Sequence, residues 1–289
     1  MDPFAGDDSV VIGNSAGGAE GVVIIGSFAT AGSECVSVGA GAQTTGTRSV
    51  GIGHGNKISG SYSVGVGGSA IAGGYNTALG YSTLVTGSTS TVIGYNEDSY
   101  GNYNTAIGAG TTVTGTGNVI AGYSNGTSGS YNVVLGYSTH GSSSSYGIAV
   151  GYGAYSYNNY NIAIGSSARA GNHSTTATNI KTGQIAIGAS ADVTAGACGS
   201  IVIGEAAYVA TNSNLQGQQL VIGRKSYAYS ANTGDSSWNY NTGQIVIGHC
   251  IRAAGDGCIV IGNGKYNNTS SYYPYASGLN SIAIGSADA

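Results

Sequence analysis

Asn104-Thr105-Ala106-Ile107-Gly108-Ala109-Gly110-Thr111-Thr112-Val113-Thr114-Gly115-Thr116-Gly117-Asn118-Val119-Ile120-Ala121-Gly122 spans one full period of a repeat that runs through the whole chain. Its kernel is a tetrapeptide of the form apolar, small, apolar, glycine, preceded by a polar residue. Working outward in both directions, the kernel occurs eighteen times, from residues 10–13 to residues 282–285, and its glycines fall 13 to 15 residues apart as far as Gly165. A fixed period of about 14 residues marks a solenoid, in which each repeat buries its apolar face only by stacking on its neighbours.

The residue before each kernel glycine is Val, Ile or Leu except at Ala121, and two residues earlier stands Val, Ile, Leu or Thr. Side chains alternate across a strand, so these two columns share one face, and their β-branched bias suits a buried strand. This reading puts them inside the coil. The column between them (Val11, Ile24, Ser37, Gly51, Ala78, Val92, Ala106, Ile120) then points outward, yet it also lacks charge. A strand apolar on both faces is buried on both, and so short a coil has no second core of its own, so other copies of the chain are expected to cover the outward column.

Asn, Ser or Gln precedes the kernel in fourteen of the eighteen repeats, as at Asn104, Asn118, Asn132 and Gln184. Stacked coils would turn that column into a ladder of amides and hydroxyls. A second glycine about seven residues after the first, as at Gly87, Gly101, Gly115 and Gly129, supplies the other tight corner. The expected fold is all-β: a parallel β-roll or β-solenoid of about 18 coils with repeats of about 14 residues. Residues 1–171 carry the regular repeats, and residues 172–289 continue the same solenoid with insertions, mainly at 172–183, 211–218, 230–243 and 266–280.

Segments such as Asn161-Ile162-Ala163-Ile164-Gly165-Ser166-Ser167-Ala168-Arg169-Ala170-Gly171 resemble the head repeat of the YadA-type trimeric autotransporter adhesins. The resemblance covers nearly the whole chain. It implies a left-handed β-roll, a homotrimer of intertwined subunits, exposure at the outer-membrane surface, and attachment to a host cell, matrix or glycan. The heptad stalk and anchor barrel of that family are not found in this sequence. Similar repeats occur in phage and viral fibres, so a structural fibre or receptor-binding spike segment at a virion surface is the alternative.

Of 289 residues, 53 are glycine, only 8 are Lys or Arg and 12 are Asp or Glu, for a net charge of −4. So few cations offer no basic stripe for phosphates, which argues against a nucleic-acid partner. The longest aliphatic run, residues 22–25, is far short of the roughly 20 apolar residues of a membrane-crossing helix, so no membrane insertion by this segment is expected. Met1-Asp2-Pro3-Phe4 shows neither the cationic nor the apolar part of a secretory signal. Cys35, Cys198, Cys250 and Cys258 have neither metal-ligand spacing nor the density of a disulfide framework, and read as isolated thiols.

His54, His140, His173 and His249 fall in different repeats and acidic residues are sparse, so neither a catalytic triad nor a metal cluster assembles from register. The calcium-binding nonapeptide of other β-rolls is missing, and the period does not fit the six-residue multiple of hexapeptide acyltransferases. A non-enzymatic protein without cofactor or metal is expected.

Tyrosine stands out, with 22 copies against 2 Phe and 1 Trp. Tyr62, Tyr75, Tyr103, Tyr131, Tyr146 and Tyr160 stand five residues before a kernel glycine, while Tyr81, Tyr95, Tyr123, Tyr137 and Tyr152 follow one directly. Parallel stacking would align each set in a column. The candidate partner-binding residues therefore form two groups. The column Tyr62, Tyr75, Tyr103 and Tyr131 suits weak multivalent contact. Trp238, Tyr240, Tyr272, Tyr273 and Tyr275 lie in the insertions, where loops on a rigid scaffold carry binding and Trp is enriched at hot spots.

Overall fold

The computed structural model describes residues 7–142, 144–171, 182–193, 199–210, 218–229, 243–255, 257–266, 271–272, 274–278 and 280–286. Among them all regular structure is strand, and parallel pairing of successive repeats forms a β-solenoid. The chain divides into two units, residues 1–131 and 132–289. Each coil has a front strand, formed by the kernel, and a shorter back strand.

In the first unit the front ladder runs Val10–Ile12, Val23–Ile25, Val36–Val38, Val50–Ile52. It continues through Val64–Ile71, Thr77–Val85, Thr91–Tyr95, Thr105–Ala109 and Val119–Tyr123. Val64–Ile71 and Thr77–Val85 include the back strand too, the register shifting between Tyr81 and Thr83 where the chain rounds the corner. In the second unit the front strands keep register across the insertions: Ile162 pairs Ile185 and Leu220 pairs Ile245, although 23 and 25 residues separate the partners' kernel glycines. The insertions thus interrupt the coils without displacing the ladder, and the last of them falls between the front strand Ile259–Asn263 and the back strand Tyr275–Ala276. The last one carries a small antiparallel arm, Lys265–Tyr266 against Ser271–Tyr272.

The phase of the front strand is the reverse of the expected one. Ile24, Ser37, Ala78, Val92, Ala106 and Ile120 are wholly buried, as are Val134, Ala149, Ala163, Ala186, Val202, Val221, Val246 and Val260. The flanking aliphatics face out, with Ile12 58%, Ile107 44% and Ile164 36% exposed in the single chain. The physical reason is width. A side-chain carbon added to Gly51 would run into Thr44 and Ile58 of the back strand, and one added to Gly18 of the back would meet Ile24 of the front. The front and back inner columns touch, so the space between them favours small residues: Gly51 and Gly65 stand against Ile58 and Gly18 against Ile24, although Ile120 is also enclosed, beside Val113 and Thr127. The kernel's middle position is the small one, and it goes inside.

Two further inner columns complete each coil. One, three residues past the kernel glycine, holds Ala29, Ala42, Thr83 and Thr111 in the first unit and Ala154, Ala168, Ala191 and Ala207 in the second. The other is the polar column before the kernel, which is buried and hydrogen-bonded as a ladder. The Ser90 backbone N–H donates to Asn76 Oδ1 at 2.7 Å, Asn104 N–H to Ser90 Oγ at 3.1 Å, and Asn118 N–H to Asn104 Oδ1 at 3.0 Å. The amide nitrogens of Asn104 and Asn118 donate to the corner carbonyls of Gly115 and Gly129, both at 2.9 Å. At a corner the backbone leaves the strand ladder, and a buried N–H without a partner is costly. These side chains supply the missing acceptors.

The kernel glycines are required twice over. Gly108 sits at φ +150°, a region open to few residues but glycine, and a Cβ there would overlap the carbonyl of Gly122 in the next coil. Gly108→Ala is expected to lower the melting temperature by several degrees or to prevent folding, as read by circular dichroism. The phase itself is checked by a pair of variants. Ala106→Asp buries an unpaired carboxylate at a cost of several kcal/mol, whereas Ile107→Asp places it outside. Ala106→Asp should therefore lose more ordered β-structure than Ile107→Asp, and the opposite order would mean that the flanking column is the core.

Candidate functional site

Three surfaces can meet other molecules: the front face, the corner that carries the tyrosines, and the back face of the second unit. The front face is apolar from end to end of each unit, since its two outward columns are Val, Ile, Leu, Thr and one Ala. It holds no titratable side chain, so its chemistry is limited to apolar contact.

The corner position five residues before the kernel glycine is left-handed in every unit: Tyr62 has φ 56°, Tyr75 60°, Tyr103 58° and Tyr131 59°, with Tyr146 and Tyr160 alike at 60° and 59°. An L-residue there costs roughly 1–2 kcal/mol, which a stacked neighbour returns in part, at about 0.5–1.5 kcal/mol per aromatic pair. Tyr62 and Tyr75 stack with centroids 5.0 Å apart and rings 2° from parallel, as do Tyr146 and Tyr160 at 5.0 Å and 3°. The continuous column expected from the sequence is nevertheless broken in the first unit. Thr89 and Gly117 occupy the same corner on either side of Tyr103, which stacks on no aromatic ring among the described residues, and Tyr131 lies across the backbone of Gly117. The set that follows the glycines behaves alike: Tyr81 stacks on Tyr95 at 5.8 Å and Tyr137 on Tyr152 at 5.2 Å. These stacks leave ring edges and hydroxyls to solvent. Upstream the corner column continues as an ion pair, with Arg48 donating to Glu34 at 2.6 Å and to the Tyr62 hydroxyl at 3.1 Å.

The back face of the second unit carries a column that sequence reading passed over. Counting four residues past each kernel glycine, the pairing aligns His140, Tyr155, Arg169, Asp192, Tyr208, Tyr227 and Arg252, and Tyr275 continues it. His140 stacks on Tyr155 at 5.1 Å. Tyr208, Tyr227, Tyr229 and Arg252 line a cleft of about 330 Å3. The equivalent positions in the first unit, among them Thr30, Gln43, Lys57 and Thr112, hold no aromatic ring. The signal was in the sequence, as a fixed offset from the repeat glycine, but insertions hid it.

Of the insertion residues singled out, Trp238, Tyr240 and Tyr273 lie outside the described residues. Tyr272 is described only as backbone of the small arm, and Tyr275 is half-exposed at the end of the back-face column. Among the described residues no group of three or more His, Cys, Asp or Glu side chains gathers closely enough to hold a metal ion. No family model matches the chain, and no curated protein matches it either.

Two carboxyls, Glu97 wholly buried and Asp192 half-buried, are out of place in such a fold. Glu97 occupies the inner column where its neighbours are Thr83 and Thr111, and it accepts a hydrogen bond from the Thr111 hydroxyl. Burial pushes its pKa up to about 7, with Asp98 adding to the rise and hydrogen bonding from Thr111 opposing it. Asp192 is pushed up to about 6 by burial, against the pull of Arg169.

A folded-state pKa above the unfolded value means that the folded chain holds a proton the unfolded chain has lost. Stability is therefore greatest below the unfolded pKa and falls as pH rises through the folded one. For Glu97 that window is pH 4.5 to about 7. Glu97→Gln should flatten this fall and be more stable than the parent above pH 7, by on the order of 2–3 kcal/mol, with the Asp192 share remaining. Melting curves from pH 4 to 8 check it, and identical pH profiles would show that Glu97 is ionised at no cost.

Proposed function

We propose that this chain is one subunit of a homotrimeric surface fibre, an adhesin-like head that attaches to a cell, matrix or glycan. The observation that carries the reading is the bare front face. Its two aliphatic columns leave Ile12, Ile25, Ile107, Ile164 and Ile203 more than a third exposed in the single chain, in continuous rows and not as the scattered single residues that are normal on a surface. A parallel sheet is ordinarily covered on both faces, and each coil has filled only its inner one.

The occupant that fits best is another copy of the same chain. Its columns repeat at the same strand spacing of about 4.8 Å, so ridges of one face meet the gaps of another row after row. The number three comes from the resemblance to the YadA-type head repeats, as does placement at the cell surface. A non-enzymatic role agrees with a surface built from apolar columns, tyrosine edges and one small cleft. The second reading, a phage or virus fibre, has one observation in its favour. Cys35 and Cys250 are buried thiols in separate coils, which suits a chain that folds in a reducing compartment.

Light scattering on the purified protein is expected to give about three times 28.4 kDa. Ile107→Asp and Ile164→Asp, each placing a charge on the front face, should shift the mass toward a single chain. A parent that stays a soluble monomer at micromolar concentration would overturn the assembly. Beads coated with the assembled protein should adhere to cells or to a matrix or glycan array, and beads that adhere to none of these would leave the structural-fibre reading in its place.

A further inference from the structure

The front and back strands turn their inner columns toward each other, so their outward columns lie on opposite faces of the coil. A copy seated on the front face leaves the back face open. In the second unit that face carries the cleft of Tyr208, Tyr227, Tyr229 and Arg252, and its parts are arranged for a particular chemistry. The guanidinium of Arg252 lies 5.9 Å from the Tyr229 ring centre and 6.0 Å from that of Tyr275. Flanked by two ring faces, it is steered by cation–π attraction on an otherwise flexible stem. Among the described residues it forms no ion pair, unlike Arg48 and Arg224, which are bound to Glu34 and Glu205. Its fork of donors therefore remains available, and that fork matches a planar carboxylate with two parallel hydrogen bonds.

The aromatic walls supply the other half. Tyr208 and Tyr227 meet edge to face, with centroids 6.3 Å apart and planes 63° apart. The parallel pairs at the corners cover each other's faces, whereas this pair is angled, and both rings line the cleft. Tyrosine faces with hydroxyl rims take the C–H face of a pyranose while bonding its hydroxyls. The charge supply is small: one unpaired guanidinium in the cleft, on a chain of net charge −4 with 8 basic residues. A polyanion needs several cations to offset its counterions and is repelled here, whereas a sugar with a single carboxylate is matched.

We propose that the cleft formed by Tyr208, Tyr227, Tyr229 and Arg252 binds a singly charged acidic saccharide, its carboxylate on Arg252 and its ring against the tyrosines. The proposal takes its biological setting from the attachment reading, but the four described residues that line the cleft all belong to one chain.

The test uses the full-length protein with the methyl glycosides of glucuronic acid and N-acetylneuraminic acid, read by calorimetry and by saturation-transfer NMR on the ligand. At least one acidic glycoside should bind, with saturation strongest on the C–H groups of one ring face. Arg252→Gln should weaken it at least tenfold, and Tyr227→Ala or Tyr229→Ala several-fold. Converting the bound sugar's carboxylate to its methyl ester removes the charge without altering the protein, so a fold defect in a variant cannot mimic the result, and binding should drop tenfold or more.

Equal binding of methyl glucoside, of the methyl ester or by Arg252→Gln would overturn the proposal. So would no binding of either acidic glycoside, or tighter binding of heparin at the same residues. Adhesion separates the two readings. If the parent binds acidic glycosides but adheres to no surface, attachment fails and the cleft stands. If adhesion persists unchanged in a folded Arg252→Gln protein that no longer binds the sugar, the cleft is not the route of attachment.

Discussion

The separation between the front and back strands of one coil governs the rest of this structure. Across it there is room for a few small side chains. Ile58 is admitted because Gly51 and Gly65 stand opposite it, and Ile24 because Gly18 does. Backbone stacking in the perpendicular direction is as close, leaving no space for a Cβ on Gly94 or Gly108. A coil so narrow buries little apolar area, about 25 cal/mol per Å2 of it counting toward stability, so stability has to come from many identical rungs and from corners with no broken hydrogen bond. The Asn and Ser ladder answers the second need, and the unbroken register across the insertions the first.

The same narrowness sends the larger aliphatic residues out. Ordinarily β-branched bulk fills the inside of a sheet protein, and here Ile12, Ile25, Ile107 and Ile164 stand on the surface of the single chain. That surface is the one on which the proposed assembly rests, because covering it would remove apolar area from water. It also divides the labour between faces. In the proposed assembly the apolar columns on the front would meet copies of the chain, which would leave the back of the second unit, where Tyr208, Tyr227 and Arg252 line up, to a different molecule.

The solenoid, its parallel register and the polar ladder were legible in the sequence, because each depends only on the repeat of Asn104, Gly108, Gly115 and their equivalents. The phase was not, for a specific reason. With both faces of the kernel free of charge, alternation alone cannot say which is inside, and the pull of β-branched residues toward a core points to the wrong column. The deciding clue was size: Ser37, Gly51, Gly65, Ala78 and Ala106 suit a narrow interior, and apart from Ala121 the flanking columns hold no residue as small. The tyrosine columns failed where a single rung changed, at Thr89 and Gly117. The cleft was overlooked because Tyr208, Tyr227 and Arg252 share an offset from the repeat glycine but are separated by insertions of unequal length.

The central claim, that the kernel's small column is the core of each chain and its aliphatic columns are the contact between chains, is tested most directly by an experimental structure of the assembled protein. The account predicts Ile107 and Ile164 within about 4 Å of side chains from another copy, with Ala106 and Ala163 enclosed by their own coils. Finding Ile107 and Ile164 against solvent in the assembled state, or Ala106 and Ala163 at the contact between copies, would contradict it.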